Sequence, residues 1–347
     1  MDTKDEIYHQ RCIELAKNGL GHVAPNPLVG AVLVADNHII GEGYHSFFGG
    51  PHAEINAINA VKDKTLLQKS SMYVNMEPCV HYGKTPPCVD IIIEKKIPRL
   101  FIGHIDPFPE VAGKGIEKLI AAGIEVKVGI LENENRYLNK RFLTFYEKKK
   151  PYVILKWAET ADGFIDISRN PVDGNRPTWI TDKLSRTLDH KWRSEEQAIL
   201  IGTNTALLDN SKLTVRDWPG NNPLRLVLDR TLRLPKTLNL FDKSVPTVVF
   251  NEKKALSEPN LEFYKINFSN MIDEIFMFCF KRNIQSIIVE GGLQLLSGFI
   301  QSGKWDEARV FKSGIYFENG IKAPEIKKVP VNQSNLSKSI LYFYVNT

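Results

Sequence analysis

The sequence contains few cysteines, no long apolar run and no marked charge imbalance, and each absence excludes a class of protein. Four cysteines in 347 residues are too few for a disulfide-rich secreted scaffold and favour a reducing, cytoplasmic environment. No apolar stretch reaches the length needed to span a bilayer, so we expect no membrane partner. The first residues lack the basic-then-apolar order of a signal peptide, which also favours a cytoplasmic location.

The charge of the chain gives no sign of a nucleic-acid-binding protein. A formal net charge of +5 is small for this length, and the densest basic run, Lys148–Lys150, is too short for a nucleic-acid-binding arm. We therefore expect no nucleic-acid partner. The length predicts two domains and leaves enough chain for two cores. The oligomeric state is left open, and a homo-oligomer is one of the alternatives.

What the sequence does contain is a metal-binding pattern between residues 51 and 88. His52, Cys79 and Cys88 supply one imidazole and two thiolates, a set that suits Zn²⁺ and leaves a fourth tetrahedral position for water. Glu54 follows the histidine by two residues and could move protons without binding the metal. This pattern is typical of zinc-dependent deaminases of nucleobase-like rings. Here eight residues, instead of the usual two, separate the two cysteines.

Other interpretations of this pattern stay open. The cysteines could be small buried hydrophobic residues, as we expect for Cys12 and Cys279. The ion could instead be structural, with His81 as a fourth ligand, or it could stabilise a binding module without enzymatic activity. Neither a structural ion nor a binding module needs Glu54, which favours the catalytic interpretation.

Hydrophobic periodicity predicts alternating helices and strands in the first 130 residues, and hence an α/β sandwich. The predicted helices cover about 4–19, 52–61, 88–95 and 113–122, and the strands 28–34, 39–45, 72–74, 100–103 and 124–126. His52 and Glu54 would lie in the first turn of the second helix, where the helix dipole favours a carboxylate. A helical pattern over 131–150 ends at Pro151, so we expect domains 1–150 and 151–347.

The second part of the chain predicts another α/β domain with well-separated strands. The strands are expected at 152–157, 198–201, 224–228, 245–250, 286–290, 307–311 and 341–345, and the helices at 182–195, 272–282 and 293–302. Gly291 and Gly292 join a strand to a helix, where backbone N–H groups can approach a phosphate. A Gly-Gly pair at such a place is as often a plain tight turn, and a full dinucleotide fingerprint is missing.

The first half resembles the deaminase domain of bacterial riboflavin-biosynthesis enzymes. The matching segments are Pro25–Gly30, His52–Glu54, Glu77–Cys79, Gly83–Cys88 and Val111–Gly115. The resemblance implies the cytidine-deaminase fold, an α/β/α sandwich, and a diaminopyrimidinone substrate that carries ribose 5-phosphate. It further implies a substrate pocket lined by Asn26, His45, Lys84 and Asp106. Phe108 stands where the family usually has asparagine.

The second half resembles the reductase part of the same bifunctional enzymes, which is similar to dihydrofolate reductase in fold and uses NADPH. The resemblance implies cofactor contacts from Trp179, Thr205, Asp209 and the segment from Gly292 to Gly298. It implies contacts with the phosphorylated sugar from Arg193, Leu213, Arg216 and Glu290. The two arginines suit a phosphate clamp. Ala161 and Ser211 replace a leucine and a proline, and Lys253 and Lys254 are either contacts for the cofactor 2′-phosphate or surface charge.

Together the two halves imply two successive reactions on one small phosphorylated pyrimidine. The first is zinc-dependent hydrolytic deamination of 2,5-diamino-6-ribosylamino-4(3H)-pyrimidinone 5′-phosphate, with Glu54 as the proton carrier. The second is NADPH-dependent reduction of the ribosyl side chain to ribityl, which gives 5-amino-6-(5-phosphoribitylamino)uracil. The alternatives are a nucleoside or tRNA-adenosine deaminase with an unrelated tail, and a reductase half that has become a scaffold. The sequence does not reveal a general acid for the reduction.

Overall fold

The structure is a computed structural model that describes residues 3–80, 82, 86–108, 111–169 and 178–346. The chain divides into two compact units, Met1–Lys149 and Lys150–Thr347. None of the helices in the described ranges is both long and apolar enough to cross a bilayer.

The N-terminal unit alternates helices and strands. Its helices are α1 (Thr3–Lys17), α2 (Ala53–Ala60), α3 (Cys88–Glu94), α4 (Lys114–Ala121), α5 (Glu132–Leu138) and α6 (Lys140–Lys148). Its strands are β1 (Gly30–Ala35), β2 (His38–Tyr44), β3 (Ser71–Val74), β4 (Arg99–Ile102) and β5 (Glu125–Val128). The strands form a sheet in the order β2-β1-β3-β4-β5, in which β3, β4 and β5 run parallel.

Both faces of this sheet are covered, which explains the continuous apolar run in β1. Ala31 and Leu33 pack in a core with α2, α3 and α4, whereas Val32 and Val34 pack with Cys12 and other residues of α1. The period of two along a strand sends these alternate residues to opposite faces. The unit is therefore an α/β/α sandwich.

The C-terminal unit is built on a longer mixed sheet. Its helices are α7 (Lys183–Glu195), α8 (Thr203–Asp209), α9 (Met271–Lys281) and α10 (Leu293–Ser302). Its strands are β6 (Tyr152–Glu159), β7 (Phe164–Asp166), β8 (Ala198–Ile201), β9 (Leu224–Leu228), β10 (Thr247–Asn251), β11 (Leu256–Glu258), β12 (Leu261–Lys265), β13 (Ser286–Glu290), β14 (Glu307–Ser313), β15 (Ile321–Lys322), β16 (Asn332–Leu336) and β17 (Ser339–Val345). β7 and β15 pair separately as a small ribbon.

The main sheet has the order β11-β12-β10-β9-β8-β13-β6-β14-β17-β16. From β12 to β14 neighbouring strands are parallel, so their carboxyl ends meet at one edge. α9 and α10 cover one face, and Trp192 of α7 and Ala206 of α8 pack on the other. This arrangement leaves the carboxyl edge of the parallel strands as the place for a site.

Three details differ from the sequence-based expectations. His52 is the N-cap residue of α2 and precedes the first helical turn, in which Glu54 lies. The helix expected over 131–150 is two helices that meet at Asn139, whose side chain bonds both the N–H and the C=O of Leu28. α8 and the short strands β7, β11, β12, β15 and β16 were not predicted, because short segments carry little periodicity.

Arg225 on β9 is fully buried, which is unusual for an arginine. Its guanidinium donates to the Thr247 hydroxyl, the Asp242 carboxylate and three carbonyls, those of Lys212, Asn239 and Val245. Four of these partners lie between Asn239 and Thr247, and the fifth, Lys212, lies in the loop after α8. The side chain therefore ties the segment that precedes Leu213 to the sheet.

We expect Arg225→Leu to destabilise the C-terminal unit by about 3–5 kcal/mol, because it leaves buried acceptors without a donor. Urea unfolding followed by tryptophan fluorescence measures this change, since all five tryptophans lie beyond residue 150. The matched control is Arg230→Leu, whose side chain is 62% exposed and pairs with Glu252 at the surface. It should cost less than about 1 kcal/mol. Equal losses in the two variants would contradict this assignment.

Candidate active sites

The three predicted metal ligands meet at the amino ends of two helices. His52 precedes α2, Cys88 is the first residue of α3, and Cys79 lies in the loop that follows β3. His52 Nδ1 is 3.5 Å from Cys79 Sγ and 3.4 Å from Cys88 Sγ, and the three ligand atoms lie within 4.8 Å of one another. In the described part of the chain, these three side chains form a cluster that could hold one metal ion.

The electrostatics of this group suit a cation. Hydrogen bonds from Cys88 and His52 lower the pKa of Cys79 to about 4, although burial opposes the shift. The hydrogen bond with Cys79 raises the pKa of His52 to about 9. The hydrogen bond with Cys79, together with burial, raises the pKa of Cys88. Imidazole and thiolate at this spacing fit Zn²⁺, which binds in place of the protons they share here.

Glu54 lies beside these ligands and is almost completely buried, with 3% of its surface exposed. Its Oε2 has no hydrogen-bond partner within the described residues, and burial raises the pKa of the carboxyl group. A buried polar atom without a partner is costly, so such an atom indicates a place for a polar ligand. The donor set and this carboxylate oxygen therefore fit a zinc ion together with a polar molecule.

Two of the expected pocket residues adjoin the metal ligands. The rings of His45 and His52 pack edge to face, with centroids 5.3 Å apart. His45 Nδ1 lies 3.0 Å from the carbonyl oxygen of Pro51, which can only accept. Burial lowers the pKa of His45, so the neutral ring donates from Nδ1 and Nε2 accepts from the amide of Asn26 at 3.1 Å. The two hydrogen bonds thus fix the His45 ring in one tautomer.

Asp106 is also buried, in the segment that follows β4. Its Oδ1 accepts from the N–H of Phe108, and its own N–H donates to Glu77. Phe108 packs edge to face on Tyr146 at 5.3 Å, so this residue replaces the polar side chain of the family with an aromatic contact. Lys84, and His81 of the alternative structural site, lie outside the described residues.

The second site is a cavity of about 960 Å³ at the carboxyl edge of the parallel strands. Its lining includes the residues Trp179, Thr205, Asp209, Gly292, Arg193, Leu213, Arg216 and Glu290, all of which the sequence indicated. Thr205 and Asp209 are four residues apart on α8 and so share a helix face. Gly298 lies in the second turn of α10 and does not line the cavity. Lys253 and Lys254 do not line it either.

Arg193 belongs to a buried cluster of four charged side chains. It bonds both carboxylate oxygens of Glu290, at 2.9 and 2.6 Å, and lies 2.9 Å from Asp189. Lys156 is 2.8 Å from Asp189 and 3.1 Å from Glu290. Burial alone would raise the pKa of Glu290, but Arg193 and Lys156 hold it below its usual range. Carboxylates thus occupy the Arg193 guanidinium in this structure, and the phosphate clamp of two arginines stays a prediction.

Arg216 remains available to an anion. Its guanidinium bonds only Thr214 among the described residues, and the side chain belongs to an exposed residue. The backbone N–H of Arg216 donates to Nδ1 of His190, whose pKa is lowered by burial. The neighbouring Leu213 has a left-handed backbone, with φ of 55°, and its side chain is buried in the core.

Asp209, an expected cofactor contact, is paired in this structure. Its Oδ1 lies 2.8 Å from Arg169, which also bonds Asp166. Burial raises the pKa of Asp209 in spite of this pairing. Trp179, another expected cofactor contact, has an exposed ring that stacks with the guanidinium of Arg186 at 4.5 Å.

Three lining residues were not predicted from the sequence, namely Lys156, Asp189 and His190. Two signals were available. Lys156 interrupts the apolar run of β6, and Asp189 precedes Arg193 by four residues on α7. Both place a charge where the pattern predicts a buried position.

Known protein families match the two halves of the chain separately. Residues 2–104 match the cytidine and deoxycytidylate deaminase zinc-binding region, and residues 151–315 match the RibD C-terminal domain. A solved structure from Thermotoga maritima, named as a diaminohydroxyphosphoribosylaminopyrimidine deaminase and 5-amino-6-(5-phosphoribosylamino)uracil reductase, is 39% identical with a TM-score of 0.87. The likeness covers 98% of both chains. The fold class expected from sequence is thus confirmed, and the chain is of the bifunctional deaminase–reductase class.

Relatives of full length narrow this class to one family. Riboflavin biosynthesis protein RibD of Aquifex aeolicus is 35% identical over 98% of both chains. The protein of the same name from Bacillus amyloliquefaciens is 38% identical over 93% of this chain and 87% of its own. Acinetobacter baumannii RibD has a solved structure with a TM-score of 0.87 at 30% identity, covering 99% of both chains. The chain belongs to the RibD family of riboflavin biosynthesis proteins, and the expected family is confirmed.

We expect Cys88→Ser to lose most of its zinc, because a hydroxyl is a much poorer zinc ligand than a thiolate. Metal content per chain, measured by plasma mass spectrometry after desalting, checks this. Cys279→Ser is the matched control, since Cys279 is a core residue of the other unit and should leave the zinc content unchanged. Retention of zinc in Cys88→Ser would show that this cysteine is not a ligand.

Proposed function

We propose that this chain catalyses both reactions named for its Thermotoga maritima relative. Residues 1–150 would deaminate the phosphorylated diaminopyrimidine, and residues 151–347 would reduce the ribosyl side chain of the product with NADPH. The observation that carries the proposal is the unpartnered, buried carboxylate oxygen of Glu54 beside His52, Cys79 and Cys88. The family membership of the chain supports the same conclusion.

In the deaminase unit, His52, Cys79 and Cys88 would hold zinc, which when bound activates a water molecule for attack on the ring carbon that carries the amine. Glu54 would accept a proton from water and pass it to the departing nitrogen. The ring carbon would thus gain a bond to the water oxygen, which becomes a carbonyl, and lose its bond to the amine, which leaves as ammonia. Its burial suits this task, because a carboxylate in an apolar surrounding holds a proton more readily. The neutral His45 and the Asn26 amide would orient the substrate beside the metal ligands.

In the reductase unit, NADPH would supply hydride to C1′ of the opened ribose, and the protein would position the two partners. Trp179, Thr205 and the amino end of α10 at Gly292 line one cavity, which supports cofactor binding there. The exposed guanidinium of Arg216 would bind the substrate phosphate. Arg193 would act differently, since its pairing with Glu290 and Asp189 fixes the carboxylates that face the sugar.

The remaining expectations stay predictions. A cytoplasmic location and the absence of nucleic-acid or membrane partners rest on composition and charge. The oligomeric state stays open, with a homo-oligomer as one alternative. Among the alternatives, a tRNA-adenosine deaminase with an unrelated tail has the least support, because the second half has its own family match.

We expect Glu54→Gln to lower the rate of ammonia release by roughly 10²–10⁴, since the amide keeps the size of the side chain but cannot cycle protons. Ammonia release from the diaminopyrimidine ribotide measures the effect, and zinc content should equal that of the wild type. The reductase rate with the deaminated intermediate serves as an internal control and should not change. Deamination at the normal rate would exclude Glu54 as the proton carrier.

We expect Arg216→Ala to raise the KM of the reductase for its phosphorylated substrate by about 10–100-fold, because a charged hydrogen bond to phosphate is lost. The KM for NADPH should change little. The decisive comparison uses the dephosphorylated substrate, for which wild type and variant should have the same KM. An equal loss with both substrates would mean that Arg216 does not contact the phosphate.

A further inference from the structure

Glu77 uses its whole carboxylate to bind the backbone of another segment. Oε2 accepts from the N–H groups of Gly113 at 2.9 Å and Asp106 at 3.3 Å. Oε1 accepts from the N–H groups of Gly115 at 2.9 Å and Ile116 at 3.3 Å. The side chain is 4% exposed, so these four bonds form away from water, where hydrogen bonds to a charged acceptor are strong.

The backbone of Glu77 is fastened to the same segment. Its N–H donates to the carbonyl oxygen of His104 at 2.9 Å. Gly115 approaches so closely that an added Cβ would lie 2.7 Å from the Pro78 carbonyl oxygen and 3.0 Å from Glu77 Oε1. Glu77 and Pro78 therefore contact the segment that follows β4 at two places, residues 104–106 and residues 113–116.

This contact joins two parts of the deaminase site. On one side, Pro78 leads directly to the metal ligand Cys79. On the other side, the bonded N–H belongs to Asp106 itself, and the Asp106 side chain turns back to the N–H of Phe108. A shift of Glu77 would thus move Asp106 relative to the metal ligands.

A capping role for α4 does not account for the whole arrangement. A carboxylate at the amino end of a helix is stabilising, and Gly115 and Ile116 in the first turn of α4 provide for that with Oε1 alone. Oε2 binds the N–H of Gly113, the N-cap residue of α4, and also the N–H of Asp106, which lies seven residues before that cap. The bond to Asp106 is the one that a capping role does not explain.

We propose that Glu77 is a positioning residue for deamination, which sets the distance between Asp106 and the metal ligands; this rests on the proposed function. Glu77 does not touch the substrate in this assignment. It acts through Asp106, and its removal should weaken substrate binding more than it slows the chemical step. Zinc binding and reduction should be unaffected.

Glu77→Gln tests this, because the amide has the same shape but turns one acceptor into a donor that faces backbone N–H groups. We expect the KM of deamination to rise about 10–100-fold, as for the loss of a hydrogen bond to a charged group, with a smaller change in kcat. Zinc content and the reductase rate should match the wild type. The matched control is Glu117→Gln, which removes an exposed carboxylate from the first turn of the same helix and should leave KM unchanged.

A double-mutant cycle with Asp106→Asn separates positioning from general stability. If Glu77 acts through Asp106, the double variant should have the KM of Asp106→Asn alone. Independent, multiplying effects of the two substitutions would overturn the proposal. So would a Glu77→Gln variant that loses thermal stability but keeps the KM of the wild type.

Hydrogen exchange gives a readout that does not depend on activity. In Glu77→Gln the amides of Asp106 and Gly113 should exchange faster, while those of β3 keep their protection. Unchanged exchange at both amides would overturn the anchoring role. If the wild type releases no ammonia from the ribotide, the proposed function fails, and the exchange result still decides whether Glu77 anchors this segment.

Discussion

Charged groups that are buried must find partners within the protein, and this constraint shapes both candidate sites. In the C-terminal unit, the carboxylates of Asp189 and Glu290 and the cations of Lys156 and Arg193 neutralise one another. In the N-terminal unit the balance is incomplete, because an oxygen of Glu54 stays without a partner in the described part of the chain. The charges of the first cluster balance one another, whereas the oxygen of Glu54 leaves a position for a polar ligand.

The cluster of His52, Cys79 and Cys88 with the neighbouring Glu54 could be predicted from the sequence, because their residue types and spacing determine the chemistry. The partner of Arg193 could not, since a family position gives the residue but not the tertiary contact that occupies its guanidinium. Regular elements with a strong apolar pattern, such as β8, β9 and α10, had the expected bounds. The break at Asn139 escaped prediction because its cause is a pair of hydrogen bonds to Leu28, distant in sequence.

Two of the three departures from the family pattern lie at residues for which the structure shows other contacts. Ala161 bonds the carbonyl oxygen of Ile315 through its backbone N–H, so the loss of a larger side chain leaves this link intact. Phe108 packs on Tyr146 of α6. Ser211 lies in the cavity lining, and the structure gives no reason for the absence of proline there. Neither Ala161 nor Ser211 supports the alternative of a reductase half that has become a scaffold.

Leu213 meets two demands that conflict. Its left-handed backbone is unfavourable for a residue with a Cβ, by roughly 1–2 kcal/mol, and glycine would relieve it. Its side chain is 3% exposed and fills the core with Trp192 and Leu234, so glycine would leave a cavity. A β-branched residue would fill the space but crowd the backbone further. A single substitution at this position is therefore expected to cost stability, either through backbone strain or through a cavity or crowding in the core.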